Sequence, residues 1–246
     1  MKRIKRAALP AVAERFLARR RERAVEKHVN ATLDTTADWK SARQSTSMGT
    51  VLSTLHAMVG QRQRCMYCLD AHGSDIEHFR PKAVYPKHLY RWENLLLCCT
   101  HCGRIKGNRF PMAGRRALLV DPTKENPWDS LDFDPLTGNI CARFDVQLNG
   151  WSAKGEKTVE VLHLDRREAL SKGYLLTLRR LSAIVRSVLA TGVVDSAHLA
   201  QQLTAEDDHG LLGWCFSESG ASIEPFSELR ARHPRVWARC AKAVQA

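Results

Sequence analysis

Cys65-Met66-Tyr67-Cys68 and Cys99-Thr100-His101-Cys102 are two C-x-x-C pairs, and between them runs Ser74-Asp75-Ile76-Glu77-His78-Phe79-Arg80-Pro81-Lys82. Each pair forms a tight turn that aims two sulfurs at one point, so four thiolates at this spacing predict a tetrahedral zinc site. An ion there would hold together a segment too irregular to build its own core. The plainer alternative is four cysteines that merely pack, and a redox role is weaker because nothing around them resembles a thioredoxin unit. Cys98 and His101 are spare potential ligands; Cys99 is preferred to Cys98 only because it completes the C-x-x-C spacing.

The run inside the bracket fits a short strand. An acidic residue directly before a histidine lets neighbouring side chains do separate work, Glu77 holding a divalent cation and His78 taking a proton from water. Alone, the dipeptide would be a weak signal. Between paired cysteines, and with Asn94 preceding the apolar run Leu95-Leu96-Leu97, it is a stronger one.

These residues resemble the HNH endonucleases of the ββα-metal fold. The pattern Cys65-x-x-Cys68, Asp75-Ile76-Glu77-His78-Phe79-Arg80-Pro81-Lys82, Trp92-x-Asn94-Leu95-Leu96 and Cys99-x-x-Cys102-x-x-x-Lys106-Gly107 is most similar to the HNH proteins found with retrons and Septu-type anti-phage systems. Its core covers residues 61–112; Leu119-Val120-Asp121-Pro122 and Thr158-Val159-Glu160-Val161-Leu162 resemble that subgroup more loosely. The resemblance implies a β-hairpin followed by a helix around one catalytic Mg2+ or Mn2+, with Zn2+ structural at Cys65, Cys68, Cys99 and Cys102. It makes His78 the general base, Glu77 a metal ligand and Asn94 the residue that orients the histidine. The third HNH position, His or Asn in that family, is Gly103 here, which has no side chain to bind metal. A replacement ligand would come from Asn108, His101, Asp75 or water; Asn108 is favoured among these, although its spacing from Gly103 is not ideal for the same helical face.

Arg80, Lys82, Arg104, Lys106 and Arg109 lie close in sequence to this centre and are expected to hold flanking phosphates, an exposed basic face being the plainer reading. The wider chain is basic too: 246 residues carry 38 Lys plus Arg against 26 Asp plus Glu, a net +12, which favours a polyanionic partner. Ten of those basic residues stand in the first 27, with three Glu among them. Arg19, Arg20, Arg21 and Arg23 are placed on a helix predicted over Ala11–Val29, opened by Pro10 and striped by Phe16, Leu17, Ala24 and Val25.

A second helix carries Val51, Leu52, Leu55 and Met58 and stops at Gly60. Past the cysteines, 131–133 and 140–146 are expected to form a hairpin about the turn 134–139. The pattern turns helical from Thr158, with Leu170, Tyr174, Leu178, Leu181, Val185 and Val188 on one face and a stop at Gly192; shorter helices are expected over 196–205, 225–232 and 234–244. Cys141, Cys215 and Cys240 read as buried small hydrophobes.

The expected architecture is therefore α+β: a basic helical arm (1–60), a ββα-metal core with zinc (61–120), and a hairpin with a helical scaffold that could dock a partner (121–246). The longest uncharged run, 44–61, is rich in Ser, Thr and Gln, which excludes a spanning helix, and no secretory signal is apparent, so the cysteines are expected in a reducing cytoplasm. The expected function is metal-dependent hydrolysis of DNA within a bacterial anti-phage complex. The resemblance implies an ABC-type ATPase as partner, with a retron reverse transcriptase and its RNA-DNA product as a further one. The alternative is a zinc-stabilised nucleic-acid-binding module that has lost catalysis at Gly103.

Overall fold

Three helices open the computed structural model, which describes residues 1–147, 149–192 and 195–245. The first, α1 (Ala11–Val29), follows Pro10 and buries Ala13, Leu17 and Ala24, the helical spacing read from the sequence. The second, α2 (Thr35–Arg43), lies outside the sequence expectation; Asp34 starts it by accepting hydrogen bonds from the amides of Thr36 and Ala37 at 2.8 and 3.0 Å. Ser45 caps α3 (Thr46–Val59) in the same way, and Gly60, at φ 82°, ends it.

The central unit is an antiparallel pair, β1 (Asp75–His78) and β2 (Leu95–Cys98), with Asp75 opposite Cys98 and His78 opposite Leu95. Only Cys99 separates β2 from α4 (Thr100–Lys106), which packs back on β1 while α3 packs on β2. Covered in this way, all four residues of β2 are buried, whereas β1 buries Ile76 and His78 and exposes Asp75. The loop 79–94 between the strands makes short 3-10 turns at Pro86–His88 and Trp92–Asn94, and α1 lies against the first.

Short hairpins follow: β3 (Met112–Ala113) with β4 (Arg116–Ala117), β5 (Leu131–Phe133) with β6 (Ile140–Ala142), and β7 (Phe144–Asp145) with β8 (Gly150–Trp151). The hairpin expected to run through 146 is thus shorter. Its second strand stops at Ala142 and Phe144 pairs with Trp151 instead; Arg143 bridges the two hairpins, its amide donating to Ser130 O at 2.9 Å and its carbonyl accepting from Ser152 N at 2.8 Å. At the β5–β6 turn Gly138 has φ 78°, and a Cβ there would stand 2.4 Å from Ser171 O, so only glycine fits. Cys141 is half-exposed rather than buried, since the middle residue of β6 points away from the core; Cys215 and Cys240 are buried as expected.

The remaining helices are α5 (Ala153–Leu162), α6 (Glu168–Thr191), α7 (Ser196–Glu206), α8 (Leu212–Cys215), α9 (Phe226–Arg232) and α10 (Pro234–Gln245). Leu170, Tyr174, Leu181 and Val185 are buried along α6, Leu178 and Val188 are partly buried beside them, and Gly192 ends the helix at φ 70°. One apolar cluster runs from Met1 to Cys240, so the α+β chain shares a core across its length. Among the described residues no helix is long and apolar enough to cross a membrane.

Candidate active site and metal centre

The Sγ atoms of Cys65, Cys68, Cys99 and Cys102 lie within 4.8 Å of one another and are all buried. Tetrahedral zinc at a Zn–S distance of about 2.3 Å would set its sulfurs about 3.8 Å apart; Cys68 and Cys99 stand at 3.9 Å. The first pair sits on a turn closed by Cys65 N to Ala71 O and Leu69 N to Cys65 O, both 2.9 Å, and Met66 N to Leu97 O ties that turn to β2. The second pair straddles the start of α4, where Cys99 Sγ accepts the amide of Cys102. The donor chemistry and spacing fit zinc. Among the described residues, no other group of three or more His, Cys, Asp or Glu side chains converges in this way.

The helical half of the chain closes this centre. Arg167, preceding α6, donates from Nη1 to Cys102 Sγ at 3.4 Å, and Tyr174 Oη donates to Cys68 O at 3.1 Å. Burial works against the Arg167 charge, yet the Cys102 and Cys68 sulfurs hold its pKa above the ordinary guanidinium value. Four thiolates around one Zn2+ would carry two negative charges in excess, and Arg167 is placed to offset part of them. Cys98 stays outside the group, its sulfur 4.0 Å from Cys65 Sγ and 3.3 Å from Cys99 O.

Glu77 and His78 stand at the other end of the β-hairpin. The imidazole is 4% exposed, and its Nε2 is 3.0 Å from Leu89 O. A carbonyl only accepts, so Nε2 carries the proton and Nδ1 presents a lone pair. Among the described residues Nδ1 makes no hydrogen bond. Trp39 of α2 covers the ring edge-on, with centroids 4.3 Å apart. Burial above all, then the charge of Lys82, pushes the His78 pKa down to about 3, so the ring is neutral at neutral pH.

Among the described residues the Asn94 side chain makes no hydrogen bond to His78. Its Oδ1 accepts from Arg80 N at 2.7 Å, and its Nδ2 donates to Arg80 O and His88 O, both at 3.1 Å, pinning the loop whose Leu89 carbonyl holds the histidine. The same loop is fixed from α2. Tyr90 Oη donates to Asp38 Oδ1 at 2.5 Å, and Lys27 approaches Asp38 Oδ2 at 2.6 Å. Sequence reading missed Trp39 and Asp38 because it missed their helix; Asp34 followed by Thr35-Thr36 was the available capping signal.

Lys106 corrects the expectation of a phosphate contact. It is 0% exposed, and its ammonium reaches back from the last turn of α4 to donate to Glu77 Oε1 at 2.8 Å and His78 O at 2.7 Å. Arg109 is likewise engaged, its guanidinium held by Ile105 O and by Val161 O on α5. Arg80 lies over the rings of Tyr85 and Phe110, 5.4 and 5.0 Å from their centroids. Lys82 is half-exposed and Arg104 exposed; Arg109 is exposed too but bonded to backbone carbonyls, which leaves Lys82 and Arg104 better disposed toward a polyanion. In the N-terminal arm, Arg6 is a structural latch, bonded to the carbonyls of Trp92 and Leu95 at 2.8 and 3.0 Å.

Gly103, and not Asn108, faces Glu77. A Cβ built on Gly103 would lie 3.5 Å from Glu77 Oε2 and 3.8 Å from Cys98 Sγ, ordinary contact distances. Asn108 is exposed and follows Gly107, whose φ of 49° has already ended α4. His101 is exposed on the first turn, and Asp75 pairs with Arg43 at 3.3 Å.

No family model and no solved structure matches the chain. Among curated proteins, a stretch of 112 residues is 32% identical to the Septu protein PtuB of Bacillus thuringiensis, covering 44% of this chain and 38% of that one. A second PtuB, from Bacillus mycoides (strain KBAB4), is 32% identical over 136 residues, 43% of this chain and 44% of its own. The Septu protein PtuA of the same strain is 33% identical over 134 residues, 42% of this chain and 18% of its own. The chain thus spans less than half the length of the curated relatives it matches, and over that part the relationship supports a link to the Septu-type defence proteins.

Proposed function

We propose that this chain is an HNH-type endonuclease acting on DNA phosphodiesters as a component of a Septu-type anti-phage system. The observation that carries the reading is His78, a neutral imidazole on β1 with Nε2 committed to Leu89 O and Nδ1 left to accept a proton. It stands on an antiparallel strand pair followed directly by a helix, the ββα order its sequence resembles. The relatives named above are Septu proteins, so the proposal follows that branch rather than the retron one. A PtuA-like protein, of the ABC-type ATPase class implied by the resemblance, is the proposed partner.

In this reading His78 Nδ1 takes the proton of the attacking water. Asn94 keeps the loop carrying Leu89 O in register, and Trp39 limits the ring's movement. Glu77 would hold Mg2+ or Mn2+ through Oε2, since Lys106 occupies Oε1. A single free carboxylate oxygen fits Mg2+, which is commonly bound by one or two carboxylates with waters and substrate phosphate. When bound, the ion supplies charge relief on the scissile phosphate and the departing oxygen. Lys82 and Arg104 would hold flanking phosphates. The Cys65, Cys68, Cys99 and Cys102 group would hold Zn2+ as the structural core of the hairpin.

The test is incubation of supercoiled plasmid with the purified chain, alone and co-expressed with its PtuA-like partner, plus Mg2+ or Mn2+. Cleavage abolished by chelator and by His78→Ala, with DNA binding retained, is the expected result. Persistent divalent-independent cleavage, or cleavage unchanged in His78→Ala, would overturn it. The second reading, a binding module without catalysis, is favoured by the glycine at position 103. It requires DNA binding with no strand loss in any of these conditions.

A further inference from the structure

Helix α2 reaches the histidine by two routes. Trp39 stands edge-on to the His78 ring, and its indole also lies 5.8 Å from the ring of Tyr90. One residue earlier, Asp38 accepts the Tyr90 hydroxyl on Oδ1 at 2.5 Å and faces two cations of α1, Lys27 at 2.6 Å and Arg20 at 3.7 Å. The Asp38 side chain is only 6% exposed, and Tyr90 is buried with it. Burial works against the Asp38 charge, yet hydrogen bonds from Lys27 and Tyr90 hold its carboxyl below the usual carboxylate range. Burial and the neighbouring carboxylate push the Tyr90 phenol up, so it stays a donor.

The Leu89 carbonyl that accepts from His78 Nε2 belongs to the peptide joining Leu89 to Tyr90. That peptide is planar, so the placement of Tyr90 sets the direction of the carbonyl. On the other side of Leu89, Asn94 holds His88 O at 3.1 Å. Asn94 and Asp38 thus fix the two neighbours of Leu89, one from within the hairpin and one from α2. We propose that Asp38 is a positioning residue which, through Tyr90, keeps the His78 proton on Nε2 and the lone pair on Nδ1. Which nitrogen of a neutral imidazole carries the proton is set by its hydrogen bonds. With the Leu89 carbonyl displaced, the preference for Nε2–H goes, and the nitrogen free to take a proton is no longer fixed. The catalytic consequence rests on the hydrolytic reading of the site; the choice of tautomer does not. In this arrangement α1 and α2 belong to the histidine's own support and are more than a basic arm.

The test is nuclear magnetic resonance of the zinc-loaded full chain with its histidine ring nitrogens isotopically labelled, the His78 signals being those absent from His78→Ala. At neutral pH the wild type is expected to show His78 as the Nε2–H tautomer alone. Asp38→Ala and Tyr90→Phe are each expected to move its two nitrogen shifts toward the average of both tautomers, and the double variant to move them no further. Asp38→Asn, which still accepts from Tyr90, is expected to restore the wild-type pattern. His209, held by Thr177 Oγ1 on α6, is expected to stay unchanged throughout. Cleavage of plasmid should fall about ten- to a hundredfold in Asp38→Ala and Tyr90→Phe, and Asp38→Asn should recover most of it. A His78 spectrum unchanged in both Asp38→Ala and Tyr90→Phe, or a change shared equally by His209, would overturn the proposal. If Asp38→Ala fails to keep its zinc, Tyr90→Phe, which removes a single oxygen, decides. Spectra that change as expected in a chain that never cleaves DNA would sink the hydrolytic reading and leave the positioning inference; cleavage with no change in the spectra would do the reverse.

Discussion

The β1–β2 hairpin carries two centres of opposite construction. At the cysteine end four sulfurs converge within 4.8 Å, all buried, with Arg167 and Tyr174 closing the shell from α6. At the glutamate end one carboxylate is half-neutralised by Lys106, one imidazole keeps a free nitrogen, and position 103 contributes nothing. The first centre has the four sulfurs a tetrahedral zinc would need. The second offers one imidazole nitrogen and one carboxylate oxygen, the two groups that the proposed hydrolysis would use.

The sharpest way to break the comparison is to remove a sulfur. Cys102→Ser is expected to take bound zinc from one per chain to none and to abolish cooperative unfolding, since structural zinc in small modules is worth about 10 kcal/mol or more. Cys98→Ser, outside the group, is expected to retain the zinc, with metal analysis and thermal melts separating the two. The corresponding loss at the other end should spare the fold: His78→Ala is expected to lower cleavage by about 10²–10⁴-fold and leave zinc content and DNA affinity unchanged. A variant of His78 that releases zinc would mean that the two ends are one structural unit.

Lys106 sharpens the contrast from inside. Lys106→Met leaves Glu77 beside an apolar side chain, and loss of one partner of a buried pair costs about 3 kcal/mol. Denaturant unfolding should register this, with Glu77→Gln in the same chain recovering much of it. If Lys106→Met is neutral, the ammonium is not holding Glu77.

How much of this was legible follows the same division. Spacing alone assembled Cys65, Cys68, Cys99 and Cys102, because each C-x-x-C is a local turn and zinc needs all four sulfurs. Ala11–Val29 and the stripe of α6 were legible because apolar periodicity reports burial directly. Lys106 misled because a lysine in a basic stretch reads as a surface charge; only the packing of α4 on β1 turns it inward. Arg109 misled likewise, its partner Val161 lying far along the chain. The tie from Asn94 to His78 through Leu89 O passes along backbone, and no side-chain pattern encodes it.

Acid offers a gentler test of the histidine. In the unfolded chain His78 titrates near 6.5, whereas in the fold burial holds it at about 3. The lowered folded value means that stability from the neutral ring is full above pH 6.5 and is lost as pH falls through that value toward 3. The slope contributed by one such group is at most about 1.4 kcal/mol per pH unit. His209, pushed down to about 4 chiefly by burial, acts in the same window. The comparison is therefore of wild type with His78→Asn, whose unfolding free energy should fall less between pH 6.5 and 5.5. Equal slopes would mean that the imidazole is not buried neutral.

The smallest expected effect concerns the basic residues around the glutamate end. Arg104 is exposed and Lys82 half-exposed, Lys106 is buried on Glu77, and Arg109, although exposed, is bonded to the carbonyls of Ile105 and Val161. A lysine or arginine that neutralises a phosphate releases a counterion, so its removal flattens the dependence of log affinity on log salt by about one unit. Lys82→Ala and Arg104→Ala should each flatten that slope and leave the melting temperature alone. Arg109→Ala should do the opposite, lowering stability by about 1 kcal/mol through its lost carbonyl bonds with no change in slope. Were Arg109→Ala to flatten the slope instead, its bonds to Ile105 and Val161 would have to open on DNA. The basic surface would then be assembled by the ligand.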